Sequence, residues 1–405
     1  MLCKLAYGAG QELRLDVAEQ ALAAYFPSPR GEPLADPAAA LRKALQSPLG
    51  SPPLGRYTVP GDRIVVAVDH GVPQTARLVA VLVEELAAAG VAGDQIEVLQ
   101  ADPPGVANDF EPTAVGAGRV ARHDPAHREA VGFLAATKEG QPIYLNRDLL
   151  EADLVIWLGQ AAPSSAPRWH GVSRDLYPTF SDAASQRRFV AAGLRAKREE
   201  FDRRKQEAAE AAWLAGSLFR VAVVPGPEQS ILHVIAGDSV QVTQEGARLA
   251  EASWAFQTPR RVDLAVVAIP GGGAEQSWAH VGRAAAIASR IVTEEGAIVV
   301  CSELAEPPGK AVQLLGEDAD PEEVLKALRA SDAEDAVAAF ELARARRKAH
   351  VFLLSQLDPD VVEGLGLAPA AAPADVERLA ARRESVALVG GGQFATLSLM
   401  HGSQA

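Results

Sequence analysis

The sequence has 405 residues, of which 48% are hydrophobic and 22% are charged. This length suits two or three domains of roughly 100–200 residues each, and the composition excludes a largely disordered chain. The formal net charge of −13 at pH 7 repels phosphate backbones, so nucleic acid is not expected as a partner. Cys3 and Cys301 are too few for a disulfide framework or a Cys-x-x-Cys metal site, which favours a reducing cytoplasm.

The sequence predicts neither a membrane helix nor a signal peptide. No apolar run reaches the ~20 residues that a spanning helix needs. The longest candidate, residues 78–91, is interrupted by two glutamates and predicts an amphipathic helix. Gly8 and Gly10 come before any long apolar stretch, so the N-terminus predicts a strand, a turn and a second strand. We therefore expect a cytoplasmic protein with no membrane partner.

Short apolar runs alternate with longer helical patterns, which is typical of parallel βαβ units. Strands are predicted at residues 64–68, 96–99, 154–158, 221–224, 264–269 and 298–301. Helices are predicted at residues 41–46, 75–89, 183–215, 243–255, 278–294 and 321–349. Because the strands are apolar throughout, helices should cover both faces of each sheet. The predicted fold class is α/β, with two domains of parallel-rich sheets flanked by helices.

A domain boundary is predicted near Pro259, where a helix should end before a strand begins at Val262. This places residues 1–258 in an N-terminal α/β domain and residues 259–395 in a C-terminal α/β domain. Residues 396–405 form a tail that can return to the first domain.

The loop after the strand at 64–68 begins with Asp69 and His70. Ligands of open α/β sheets gather beyond the carboxyl ends of strands, and a carboxylate beside an imidazole can act as a catalytic base pair or hold a ligand. Asp69 and His70 are therefore candidate catalytic residues. The alternative is a structural aspartate that caps the helix at Thr75 or bonds loop amides.

The loop after the strand at 154–158 carries Ser164, Arg168 and His170. A hydroxyl, a guanidinium and an imidazole in one loop suit a small anionic ligand. Ser164 and Arg168 are candidate substrate-binding residues, and His170 is a candidate catalytic base. The alternative is that Trp169 packs beside a surface His170.

The loop after the strand at 264–269 is rich in glycine and opens a helix at Trp278. The candidate cofactor-binding residues are Gly271, Gly272 and Gly273, and the candidate substrate-binding residues are Gln276, His280 and Arg283. Consecutive glycines let backbone N–H groups approach an anion, and a helix N-terminus adds partial positive charge. The spacing matches neither the dinucleotide fingerprint nor the phosphate-binding loop, so a tight turn between strand and helix is the alternative.

Several short motifs occur in a recognisable order along nearly the whole chain. They are Ser47-Pro48-Leu49-Gly50, Pro60-Gly61-Asp62 before the strand that ends at Asp69, His123-Asp124, Gly140-Gln141-Pro142-Ile143, Glu151-Ala152-Asp153-Leu154 and Ile235-Ala236-Gly237-Asp238. In this order they resemble the lactate racemase family.

The resemblance implies two α/β domains around a cleft. It also implies a nickel-pincer nucleotide attached to a lysine of the first domain. In that family the nickel accepts a hydride from the α-carbon of a 2-hydroxy acid, and two histidines exchange the hydroxyl proton. Such chemistry needs a hydride acceptor, a base on each face and a cation for the substrate carboxylate.

The sequence departs from the family pattern at positions that carry this chemistry. Val72 stands where the family has an arginine, and Ser164 stands where it has a histidine. No lysine occurs between Lys138 and Lys197, where the family attaches its cofactor. No histidine occurs in residues 171–232, where the family has its downstream nickel ligand. Covalent attachment of the cofactor is therefore not expected, and the sequence predicts no metal-ligand set.

Three functions remain open on these grounds. The first is a family member that has lost or altered pincer-dependent racemisation but keeps a pocket for a small 2-hydroxy acid or a nucleotide. The second is a racemase or epimerase of 2-hydroxy acids in which His70 and His170 act as relocated bases. The third is a non-catalytic binding or regulatory protein whose domains close on a ligand.

Overall fold

The structure is a computed structural model. It describes residues 1–101, 110–137, 140–166, 175–195, 198–216, 219–273, 276–316, 319–331 and 333–400. In this part of the chain, no helix is both long enough and apolar enough to cross a membrane.

Strands and helices alternate along most of the chain. The strands are β1 (Leu2–Tyr7), β2 (Gln11–Asp16), β3 (Leu22–Phe26), β4 (Ile64–Val68), β5 (Ile96–Gln100), β6 (Arg119–Arg122), β7 (Val131–Ala136), β8 (Pro142–Asn146), β9 (Leu154–Gln160), β10 (Phe219–Pro225), β11 (Ile231–Asp238), β12 (Ala255–Thr258), β13 (Val262–Ala268), β14 (Val292–Cys301), β15 (His350–Leu354), β16 (Ala368–Ala370), β17 (Val386–Gly390) and β18 (Thr396–Leu399). The helices are α1 (Pro37–Gln46), α2 (Thr75–Ala88), α3 (Pro112–Val115), α4 (Arg147–Leu150), α5 (Leu176–Thr179), α6 (Ala183–Arg195), α7 (Arg198–Leu214), α8 (Ser239–Trp254), α9 (Trp278–Ser289), α10 (Pro321–Ala330), α11 (Ala336–Arg346), α12 (Pro359–Gly364) and α13 (Pro373–Ala380).

The chain forms two compact units. The continuous unit is Gly31–Glu251, and the discontinuous unit joins Met1–Arg30 to Ala252–Ala405. This differs from the expected boundary at residue 258, because β3 pairs in parallel with β17 and so joins the first residues to the last ones. Of the expected tail, residues 396–399 form β18, which pairs with β12 inside the discontinuous unit.

The continuous unit contains a six-stranded sheet with the order β11-β10-β9-β4-β5-β6. Its neighbours are parallel except for β10 and β11, which are antiparallel. Helices α1 and α2 pack on one face, and the β7–β8 hairpin with α4 to α7 packs on the other. Every residue of β4 is buried, as an apolar strand covered on both faces requires.

Two motifs that carry the family resemblance meet at one edge of this unit. The Leu49 N–H donates to the Ala236 carbonyl at 2.8 Å, and the Asp238 N–H donates to the Leu49 carbonyl at 2.8 Å. A side chain on Gly237 would collide with the Leu49 backbone. The glycine of this turn is therefore required by the close approach of two chain segments.

The discontinuous unit contains a second six-stranded sheet, with the order β16-β15-β14-β13-β17-β3 and parallel pairing throughout. The β1–β2 hairpin and α13 cover one face. Helix α9 packs against β13, β14 and α11 on the other face. Both sheets match the predicted α/β fold class.

The six predicted strands are confirmed, whereas most predicted helices have different limits. The helices predicted at 41–46 and 243–255 begin four residues earlier, at Pro37 and Ser239. The helix predicted at 183–215 is α6 and α7, and the one predicted at 321–349 is α10 and α11. The helix predicted at 278–294 ends at Ser289, and β14 begins at Val292. The chain leaves the helix here because the Val262 N–H donates to the Ile291 carbonyl and thereby starts the pairing of β13 with β14.

Candidate functional site

Asp69 directly follows β4 at the carboxyl edge of the continuous unit's sheet. It is fully buried, and its Oδ1 accepts the His70 N–H at 2.8 Å. His70 itself is exposed. The N-cap of α2 is Gln74, so Asp69 does not cap that helix and instead bonds a loop amide. The buried carboxylate thus holds the backbone of the loop, and the residue that follows it in the chain, His70, is exposed.

The loop that follows Asp69 is held by several side-chain hydrogen bonds. The Gln160 side chain, at the end of β9, donates to the Gly71 carbonyl. The Thr75 hydroxyl donates to the Val72 carbonyl at 2.6 Å. Sequence reasoning missed Gln160, although a glutamine that follows an apolar strand can be identified by the same strand-end rule that selected Asp69.

Three non-glycine residues at this edge of the sheet have a left-handed backbone conformation. Gln74, Glu228 and Gln229 have φ values of 52°, 51° and 60°. Gln74 Nε2 donates to the Gln229 carbonyl at 3.0 Å and ties the loop after β4 to the turn between β10 and β11. Each non-glycine residue in this conformation costs about 1–3 kcal/mol of conformational free energy. Such residues cluster at functional sites.

His123 follows β6 near the same edge and is buried with both ring nitrogens occupied. Nε2 donates to the Ser181 carbonyl at 2.8 Å, and Nδ1 accepts from Asn146 Nδ2 at 3.2 Å. Burial lowers the pKa of the imidazole. His123 is therefore a neutral histidine that holds loops together, and neither of its nitrogens faces a ligand.

The loop after β9 contains Ser164, which is exposed. Its neighbour Ser165 binds Glu251 of α8, with the Glu251 carboxylate accepting from the Ser165 N–H at 3.2 Å and from its hydroxyl at 2.9 Å. Arg168 and His170 lie outside the described residues. A pairing of His70 with His170 stays a prediction.

The glycine turn of the discontinuous unit is bonded to the end of β1. The Gly271 N–H donates to the Gly8 carbonyl at 2.8 Å, and Gln393 Nε2 donates to the Pro270 carbonyl at 2.8 Å. The Gly271 amide is thus used inside the protein. At Gly272 and Gly273 an added Cβ would meet no atom within 4 Å, so both border open space.

Gln276 joins the ends of β13 and β14 through four hydrogen bonds. Its Nε2 donates to the carbonyls of Ile269 at 3.1 Å and Gly271 at 2.9 Å. Its Oε1 accepts from the Ser302 hydroxyl at 2.6 Å and from the Glu303 N–H at 2.9 Å. A primary amide that donates twice and accepts twice is fully bonded, so Gln276 acts here as an internal clamp.

His280 and Arg283 lie on α9, directly after this turn. The hydroxyl of Ser277, the N-cap of α9, lies 3.1 Å from His280 Nδ1. Arg283 is buried and donates to the Phe394 carbonyl at 3.1 Å. The structure therefore gathers Gln276, His280 and Arg283 beside the glycine turn of one unit, while Asp69, His70 and Ser164 belong to the other unit.

The described residues include no group of three histidine, cysteine, aspartate or glutamate side chains that fits a metal ion. Both cysteines are buried and free, and burial raises the pKa of Cys301 to about 12. A thiol with so high a pKa stays protonated at neutral pH and is a poor metal ligand.

Comparison with known proteins agrees with these observations. Residues 7–181 match the lactate racemase N-terminal domain. The lactate racemase apoprotein from Thermoanaerobacterium thermosaccharolyticum has a similar fold, with a TM-score of 0.80 and 16% identity over 98% of this chain and 100% of that chain. Residues 7–181 therefore carry the sequence pattern of the lactate racemase N-terminal domain, and the chain shares its fold with the lactate racemase apoprotein.

The match over residues 7–181 confirms the resemblance read from the sequence motifs in that part of the chain. A protein from Thermotoga maritima is also similar in fold, with a TM-score of 0.61 and 14% identity over 90% of this chain and 97% of that chain. No curated protein matches the sequence.

The sequence lacks two residue types in the intervals where the resemblance implies a lysine-attached nickel-pincer nucleotide and its downstream nickel ligand. The sequence has no lysine between Lys138 and Lys197 and no histidine in residues 171–232. Among the described residues, His123 has both ring nitrogens occupied by protein groups.

Proposed function

We propose that this lactate racemase-family protein binds a small 2-hydroxy acid or a nucleotide and does not racemise through a lysine-bound nickel-pincer nucleotide. The observation that carries the proposal is the stretch between Lys138 and Lys197, which contains no lysine to hold the cofactor. The occupied nitrogens of His123 support it, because a base or nickel ligand needs a nitrogen free to face the reacting group.

Each of the two units offers candidate binding groups of its own at its strand ends. His70 is exposed beside the buried Asp69 and offers a hydrogen-bonding imidazole. His280 and Arg283 lie beyond β13, where a guanidinium suits a carboxylate or a phosphate. The proposed location is the cytoplasm, since both cysteines are free thiols.

The loss of the covalent cofactor is tested by producing the protein together with the enzymes that synthesise it. We expect an intact mass equal to that of the bare chain and a nickel content far below one atom per chain. A covalent adduct or stoichiometric nickel overturns the proposal.

Ligand binding is tested by thermal unfolding with a panel of 2-hydroxy acids and nucleotides. A ligand at 100 times its Kd stabilises the folded state by about 2.7 kcal/mol, which raises the Tm measurably. A panel without any shift contradicts the proposed binding function.

A second candidate is a racemase or epimerase with His70 and His170 as the two bases. The exposed His70, which follows the buried Asp69 at the end of a strand, favours it, because an accessible imidazole can act as a general base. Chiral analysis of 2-hydroxy acids incubated with the nickel-loaded protein tests this function. Isomer exchange no faster than in the His70→Ala/His170→Ala variant contradicts it.

A further inference from the structure

A pocket of about 310 Å³ lies beside β16, an edge strand of the discontinuous unit's sheet. Phe352 of β15, Ala370 of β16 and Leu379 of α13 form its apolar part. None of its residues belongs to the candidate sites described above. The volume is at the lower end of the range of small-molecule sites, which is roughly 300–1,000 Å³.

Small residues at the sheet edge explain why the pocket exists. β15 pairs with β16 over only three residues, and β16 reads Ala-Pro-Ala. Side chains of this size do not cover an aromatic ring on the neighbouring strand. Phe352 and Leu379 are accordingly only partly buried at the margin of the core. The apolar surface that remains favours contact with an apolar body.

The charged groups of the pocket leave one cation uncompensated. Asp375 accepts the Ala372 N–H at 3.0 Å and forms an ion pair with Arg378. The guanidinium of the exposed Arg382 forms no hydrogen bond or ion pair with any other residue that the structure describes. The pocket thus combines an apolar surface with a single free guanidinium.

We propose that this pocket binds a small amphipathic monocarboxylate with an aromatic or branched aliphatic body. The body packs against Phe352 and Leu379, and the carboxylate pairs with Arg382, whose planar fork can donate two hydrogen bonds to it. A dianion such as a phosphate ester fits less well, because the Asp375 carboxylate repels a second negative charge. The proposal is independent of the function proposed above.

Titration of the full-length protein with phenylacetate, followed by protein NMR at low salt, tests the proposal. We expect saturable shifts with a Kd on the order of 1 mM, concentrated on β15, β16 and α13. The uncharged analogue phenylacetamide is expected to bind at least about fivefold more weakly, because it cannot form the charged pair. Absence of saturable binding, or equal affinity for both compounds, overturns the proposal.

Two kinds of variant test separately how the Arg382 charge and the apolar lining contribute to binding. Arg382→Gln is expected to weaken phenylacetate binding by about fivefold or more, whereas Arg383→Gln, at the adjacent arginine that does not line the pocket, leaves it unchanged. Leu379→Trp fills the pocket and is expected to abolish binding while every charge is retained. An equal loss in Arg382→Gln and Arg383→Gln, or full binding by Leu379→Trp, overturns the proposal.

Discussion

At the scale of single residues, polar groups at strand ends serve two different purposes. Gln276 and His123 are bonded to protein groups at every polar side-chain atom, whereas His70 and Ser164 are exposed. The amino-acid type does not separate the two classes. What separates them is burial, because chain segments distant in sequence enclose Gln276 and His123 and leave the other two exposed.

Replacing Gln276 tests its role as a clamp. We expect Gln276→Met to lower the free energy of unfolding by about 2–4 kcal/mol, because buried partners on both strands lose their hydrogen bonds. Urea unfolding measures the loss. Gln313→Met is the control, since Gln313 makes one exposed bond to the Pro308 carbonyl and should change stability by less than about 0.5 kcal/mol. Equal stability of Gln276→Met and the wild type contradicts the clamp.

The neutral His123 predicts a pH dependence of stability. Burial lowers the pKa of His123 in the folded state, so the unfolded chain binds more protons once the pH falls below about 6.5, the ordinary value. The stabilisation is therefore complete above about pH 6.5 and is lost as the pH falls through the folded-state pKa.

The pH dependence of chemical unfolding between about pH 5 and 7.5 measures this effect. The slope of the unfolding free energy against pH is expected to flatten in His123→Gln. It is expected to persist in the control His127→Gln, which changes an exposed histidine. If His123→Gln keeps the wild-type slope, the histidine is not the group responsible.

At the scale of elements, buried strands were predictable and some helix ends were not. β4 is apolar throughout, and β13 is apolar apart from Asp263, because helices or hairpins cover both faces of their sheets. The interruption between α10 and α11 depends on Asp335, whose carboxylate accepts the amides of Ala311 at 3.1 Å and Val312 at 2.9 Å. No local pattern reveals that contact, so the sequence predicted one continuous helix.

Gly282 permits the close packing of α9 against α11. A Cβ at this position would lie 2.8 Å from the Ala338 carbonyl oxygen, so one of the helices must move. We expect Gly282→Ala to destabilise the protein by about 1–3 kcal/mol, although alanine is the better helix former. Thermal unfolding measures the change. Gly364→Ala is the matched control, because its Cβ meets no atom within 4 Å, and a larger loss there contradicts the packing argument.

At the scale of the whole molecule, the first thirty residues belong with the last part of the chain. β3 adds an edge strand beside β17, and the β1–β2 hairpin covers the face of that sheet formed by Leu264 and Val299, among others. The Arg30 N–H donates to the Ser253 carbonyl at 3.0 Å, so the two segments of this unit meet where the chain leaves and re-enters it.

This arrangement predicts which fragments fold. Residues 252–405 expressed alone should give poorly dispersed NMR spectra, because one face of their sheet is uncovered. Residues 1–30 joined to residue 252 through a short Gly-Ser linker should restore dispersed spectra and cooperative unfolding. Residues 31–251 should unfold cooperatively without either segment. Dispersed spectra from residues 252–405 alone contradict the prediction.

The sequence by itself determined the α/β class, the buried strands, the family motifs and the intervals that lack lysine and histidine. These features follow from local composition and periodicity, because the burial of a strand and the period of a helix determine which residue types occur at neighbouring positions. Only the tertiary structure decided that β3 joins β17 and that Gln276 and His123 are occupied inside the protein. Strand order and hydrogen-bond partners join residues far apart in sequence, and their geometry exists only after the chain has folded.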